Sequence, residues 1–247
     1  MKSKFLRLKN KLVHYLIGGQ GDYLIILPSL WVTSKSYEEI GEKLSKYFTV
    51  VIPDIYKGNS KFKKPTLNIK DNIFLLNSFI NELHLTKYYL LGISIGGVFA
   101  TIFTNTFPKK IKKLLLISSS ATFIETNLKV LRLIIGYIKL LLNNSLSIKG
   151  LKTNLLFISD SIKYFLKHPK QYILEGLIAI KNYGKPTLKM KVNSKLIFAK
   201  KDEFIPFEAV RINSQIENLK IEVVDKTHAW MFIEQEEMVK RIREFFI

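Results

Sequence analysis

Short apolar runs rich in β-branched residues alternate along the chain with longer stretches whose apolar positions recur every three to four residues. The first kind reads as buried strand and the second as amphipathic helix. Strands are expected in KLVHYLIGG (11–19) and YLIILPS (23–29), around the turn Gly18-Gly19-Gln20-Gly21-Asp22, and then in FTVVIPDI (48–55), YYLLGIS (88–94), KKLLLISSS (112–120), SKLIFAKKD (194–202) and LKIEVVDKTHA (219–229). The helical period marks SYEEIGEKLSKY (36–47), with Ser36 as its expected N-cap. It marks also IKDNIFLLNSFINELHL (69–85), a segment from about Gly97 to Thr106 stopped near Pro108, and QEEMVKRIREFF (235–246). Such alternation predicts an α/β domain with a mainly parallel sheet and helices on both faces. From Ala121 to about Lys189 leucine-rich helical segments replace the strands. The chain therefore divides into a core of residues 1–120 and 190–247 and a helical insertion of residues 121–189.

Composition narrows the chemistry. The 247 residues suffice for one large core, and the absence of cysteine excludes disulfides, thiolate metal sites and a cysteine nucleophile. His14, His84, His168 and His228 are too scattered to form a local metal-ligand motif. The N-terminal MKSKFLRLKNKLVHY has charges without an apolar core behind them, and VLRLIIGYIKLLL is too short and too charged to span a membrane, so a cytoplasmic location is the expectation. A net charge of +19 raises the question of nucleic acid. Lysine supplies nearly all of it, only five residues are arginine, and no nucleic-acid-binding motif is present, so a nucleic-acid partner is not expected.

The stretch LLGISIGGVFA (90–100) interrupts an apolar run with a lone hydroxyl between glycines. Ser94 there is either a turn residue or a nucleophile. A serine becomes nucleophilic only when a base takes its proton, and it must stand clear of its own backbone. A sharp strand-to-helix turn meets the second need, and Gly92 and Gly96 let strand and helix approach closely. With strand before and helix after, the G-x-S-x-G pattern resembles that of the α/β-hydrolase family, and the resemblance extends over nearly the whole chain. It implies an acid and then a histidine further along. Asp202, in a loop past a buried strand and before Pro206, matches the acid position, with Glu203 as neighbour and competitor. His228, past the last strand and before the final helix, matches the histidine. The 26-residue interval between them also resembles the family's. His14 and His84 are expected to be structural, and His168 a surface residue.

The resemblance places oxyanion donors at the backbone N–H groups of Leu30 and Ile95. The family's usual His-Gly is replaced here by Pro28-Ser29, and Glu236 stands where relatives often carry proline. Trp31 and Trp230 are the expected substrate contacts. In the family, an insertion at the place of residues 121–189 caps the active site, and this one is rich in Leu, Ile, Phe and Tyr. The resemblance thus implies a serine hydrolase acting through an acyl-enzyme on Ser94, with a small apolar acyl or aromatic substrate and with neither a metal nor an organic cofactor. A carbon–carbon bond hydrolase with the same triad, and a weakly active or non-catalytic relative that binds an apolar ligand, remain open. The insertion carries 11 basic and three acidic residues. These make contact with an anionic membrane a further expectation, with Lys129, Arg132 and Lys139 near one helical face.

Overall fold

A computed structural model describes residues 1–55, 58–61, 69–122, 129–180 and 187–247, except the side chains of 129–132 and 176–180. The expected positions of the Lys129 and Arg132 side chains lie outside that description. The strands are β1 (Lys2–Leu8), β2 (Lys11–Gly18), β3 (Tyr23–Leu27), β4 (Thr49–Pro53), β5 (Tyr88–Ile93), β6 (Ile111–Ile117), β7 (Lys189–Lys201) and β8 (Glu217–Thr227). The helices are α1 (Glu38–Leu44), α2 (Ile69–Glu82), α3 (Ile95–Thr106), α4 (Lys129–Asn144), α5 (Ile148–Lys167), α6 (Pro169–Ile180), α7 (Glu208–Asn213), α8 (Trp230–Ile233) and α9 (Gln235–Phe246).

The strands form one sheet in the order β1-β2-β4-β3-β5-β6-β7-β8. From β4 through β8 neighbours are parallel, while β2 runs antiparallel to both β1 and β4. β1 escaped the sequence reading. It is an edge strand with five exposed residues out of seven and no apolar alternation to betray it.

Central strands are apolar on both faces because both faces are covered. Along β3, Ile25 and Leu27 face one cluster with Phe79 of α2 and Phe99 and Phe103 of α3. Leu24 and Ile26 face the other, with Ile40 and Leu44 of α1 and Ile242 and Phe246 of α9. β3 and β5 are adjacent, and the chain leaves their carboxyl ends toward helices on opposite faces. Such a switch point opens a crevice above the sheet. The described helices α4, α5 and α6 lie between β6 and β7. Ser36 does not cap a helix as expected. Thr33 caps a short 3₁₀ turn, Ser34–Tyr37, and the Ser36 hydroxyl reaches Asp160 of α5 instead.

Candidate active site

At the end of the fully buried β5 the backbone turns sharply. Ser94 has φ 53° and ψ −125°, a conformation that costs strain in a non-glycine residue. Its N–H donates to the Ile117 carbonyl on β6 at 3.1 Å, and its carbonyl accepts from the Gly97 N–H at 2.9 Å and the Ser119 hydroxyl at 2.6 Å. Both backbone groups are thus pinned from below. The two glycines answer to close approach. A Cβ at Gly92 would lie 2.5 Å from the Gly97 Cα, and one at Gly96 would lie 2.2 Å from the Leu27 carbonyl oxygen. Trp31 (φ 61°) and Ser118 (φ 45°) also adopt left-handed backbone, just beyond β3 and β6. Three of the six non-glycine residues with positive φ among the described residues thus lie just past the ends of β3, β5 and β6.

Two distant loops meet Ser94. The imidazole Nε2 of His228 lies 3.1 Å from the Ser94 hydroxyl, and its Nδ1 lies 2.7 Å from Oδ2 of Asp202. The other oxygen of Asp202 accepts from the N–H groups of Phe204 and Ile205, both at 2.9 Å. The carboxylate is inaccessible to solvent and cannot rotate without breaking three bonds. Burial pushes the His228 ring toward its neutral form. The charge of Asp202, its hydrogen bond and the charge of Glu203 act the other way, and the net effect raises the ring above its ordinary value. Glu203 serves a different atom from Asp202. It accepts the backbone N–H of His228 at 2.9 Å, while its second oxygen accepts from Asn143 of α4 at 2.7 Å.

The loop after β3 is held from several sides. The Ser29 N–H donates to the buried Tyr37 hydroxyl at 2.8 Å, and the Ser34 N–H to Asp54 at 2.7 Å. Asp160 of α5 accepts from the Thr33 N–H at 2.7 Å, the Thr33 hydroxyl at 3.0 Å and the Ser36 hydroxyl at 2.6 Å. The Trp31 indole N–H donates to the Tyr172 carbonyl of α6 at 3.0 Å, and the two rings stack 5.8 Å apart. Glu175 of α6 accepts from the Trp31 N–H at 3.4 Å and from the Tyr164 hydroxyl. Burial raises its pKa to about 7 against the lowering effect of those donors. Leu30 thus lies between Ser29 and Trp31, both anchored. Ile95 follows Ser94 directly and begins α3. Asp160 and Glu175 were missed by the sequence reading. Their signal was a polar residue on a helix, which ordinarily means a solvated face.

Trp230 requires a correction. It is 1% exposed and packs in the core with Met231, Met238 and Ile242, so it supports the histidine loop from beneath and offers no face to a substrate. His14 belongs to a second Ser–His–Asp chain, with Nδ1 at 2.7 Å from Asp54 and Nε2 at 2.8 Å from the Ser3 hydroxyl. Ser3 sits mid-strand on the exposed β1, without a glycine elbow, and Asp54 also holds Ser34 and Asn59. That chain ties the edge hairpin to the loops. His84 is exposed, and His168 ends α5, where its N–H bonds the Tyr164 carbonyl. Among the described residues no group of three or more His, Cys, Asp or Glu is placed to hold a metal ion. No described helix is long and apolar enough to cross a membrane.

Comparison with solved structures shows what shares this architecture. A thermophilic esterase from Thermogutta terrifontis superposes with a TM-score of 0.80 at 16% identity, covering 99% of this chain and 98% of that one. The enol-lactonase from Burkholderia xenovorans LB400 gives 0.77 at 15% identity, covering 98% and 99%. The bromoperoxidase from Bacillus anthracis gives 0.74 at 16% identity, covering 99% of each. At these identities the likeness is one of fold. An uncharacterised protein of Mycobacterium tuberculosis is 25% identical over 116 residues, 46% of this chain and 34% of that protein, so the match takes in about a third of the relative's length. The family model for the alpha/beta hydrolase fold matches residues 22–168, more than half of the chain. With the sheet order, the elbow at Ser94 and this match together, the chain belongs to the α/β-hydrolase fold family.

Proposed function

We propose that the protein is a serine hydrolase that cleaves a carboxylic ester or a related acyl substrate with an apolar acyl or aromatic part. The observation that carries this reading is the continuous relay from Asp202 through His228 to Ser94, at 2.7 and 3.1 Å, with the serine on a strained elbow. The Ser94 hydroxyl attacks the substrate carbonyl carbon as His228 Nε2 takes its proton. The carbonyl oxygen becomes an oxyanion that the N–H groups of Leu30 and Ile95 stabilise. His228 then delivers the proton to the leaving oxygen, and an acyl ester on Ser94 remains. Water, deprotonated by His228, attacks that ester, and the acid departs as Ser94 recovers its proton. Asp202 keeps the proton of the resting ring on Nδ1 and stabilises the imidazolium. Helices α4–α6 serve as the cap, and Trp31, half-buried against Tyr172, serves as the substrate contact beside Leu30.

The test is Ser94→Ala, assayed for turnover of a panel of soluble esters and for covalent labelling by a fluorophosphonate. Both are expected to vanish while the thermal melt is retained. Turnover that survives the substitution in a clean preparation refutes the assignment.

A further inference from the structure

The helix α5 is inverted. Its buried residues are small or polar, Gly150, Thr153, Asn154, Asp160, Ser161 and Tyr164. Its exposed positions include Ile148, Leu151, Leu155, Ile158, Ile162 and Phe165, spaced by three and four residues along one side. The polar side is used up by the loop after β3 and by α4, through Asp160 and Asn154. The apolar side stays exposed within the described residues, with Phe165 meeting the Tyr172 ring of α6 edge-on at 5.4 Å. It is also extensive. Of 21 large apolar side chains left exposed among the described residues, 14 lie between Ile134 and Ile173, including Ile134, Ile138 and Leu142 of α4. Apolar side chains exposed at this density on helices that pack side by side mark a docking face.

Charge identifies what docks. Lys139, Lys149, Lys152, Lys163, Lys167 and Lys170 are all exposed on these helices. The acidic residues of the segment 129–180 are Asp160 and Glu175, and both are buried against the core. Two copies meeting through this face would set lysines against lysines, since these helices expose no carboxylate of their own and Glu236, which feels the charge of Lys149, is already paired with Lys43. This disfavours a self-complementary dimer. A bilayer with anionic headgroups offers what the face lacks, an apolar interior beneath a negative surface. We propose that the outer face of α4–α6 docks on anionic lipid bilayers. The helices then lie in the interface, since none of those described is long and apolar enough to cross.

The experiment is co-sedimentation of the full chain with vesicles of phosphatidylcholine alone or mixed with phosphatidylglycerol, at low and high salt. It uses the Ser94→Ala protein, so that its outcome is independent of the hydrolase reading. The protein is expected to partition onto the mixed vesicles and not onto phosphatidylcholine alone, and less so in high salt. The triple change Lys149→Gln, Lys152→Gln, Lys163→Gln is expected to weaken partitioning at low salt on the order of a hundredfold, about fivefold per lysine. The pair Leu155→Ser, Ile162→Ser is expected to abolish it. All five positions are exposed, and unchanged circular dichroism and melting check that the variants fold. Equal binding to both vesicle types, no binding to either, or indifference to both variants overturns the proposal. So does a dimer in light scattering that the Leu155→Ser, Ile162→Ser pair disperses, which gives the face to a second copy.

Discussion

Replacing Asp202 by asparagine tests the relay at its least forgiving atom. The two oxygens of Asp202 have different partners. Oδ1 accepts from the N–H groups of Phe204 and Ile205, and Oδ2 faces Nδ1 of His228 at 2.7 Å. An asparagine has one acceptor oxygen, and two backbone donors compete for it. Its oxygen therefore occupies the Oδ1 place, and its NH₂ group faces the imidazole as a donor. Nδ1 must then accept, so the ring proton moves to Nε2, 3.1 Å from the Ser94 hydroxyl. A base has become a donor, and the serine keeps its proton. Loss of the correct tautomer is expected to lower kcat by ~10⁴, equivalent to about 5.4 kcal/mol of transition-state stabilisation. Both backbone hydrogen bonds survive, so the melting temperature should change little. Steady-state turnover of a soluble ester gives the rate, and ¹⁵N NMR of the labelled imidazole reads the tautomer. A kcat within tenfold of the parent, or a ring still protonated on Nδ1, would refute the reasoning.

Gly96→Ala places a methyl 2.2 Å from the Leu27 carbonyl oxygen and 2.5 Å from that of Pro28, both backbone atoms; denaturant titration should show a loss of about 3 kcal/mol, with slower fluorophosphonate labelling. Glu203→Gln removes a charge that raises the His228 pKa but leaves an acceptor for the His228 backbone N–H. In the proposed mechanism His228 acts as a base only when neutral, so activity is expected to rise with pH through its pKa. The acid limb of the kcat/KM profile should therefore move to lower pH, and a shift to higher pH would contradict the assigned cause. Asp160→Ala strands the Thr33 N–H and two hydroxyls, with an expected loss of about 2 kcal/mol in stability and a drop in kcat larger than any change in KM.

The parts of this molecule that were legible in its sequence are those whose physics is local. Ser94 announces itself because strand, glycines and helix are contiguous, and Asp202 and His228 each end a strand recognisable by its own apolar run. Most strands of the sheet were readable for the same reason, since central strands buried on both faces are uniformly apolar. β1 was not, because an edge strand with a solvated face carries no such mark. Ser36 and Trp230 were misread because a neighbour in space overrode the nearest rule: Asp160, 124 residues away, takes the Ser36 hydroxyl, and the core closes around the indole. Asp160 and Glu175 were invisible for the converse reason. A carboxylate on a helix looks solvated until its partner is known, and the partners, Thr33 and Trp31, lie 127 and 144 residues away.

The hydrogen bonds that Asp160, Glu175 and Tyr172 make to residues 31–36 have a consequence for how such a molecule can diversify. Chimeras between relatives are ordinarily drawn at the ends of an insertion, as though the inserted helices were a detachable accessory. Here the boundary that matters runs elsewhere. A foreign insertion grafted onto this core would leave Thr33 and Ser36 facing whatever that insertion carries in place of Asp160. This core under a foreign loop would in turn strand the carboxylate. The transplantable unit is therefore discontinuous, the inserted helices together with residues 28–37, and drift in one half is answerable only by drift in the other.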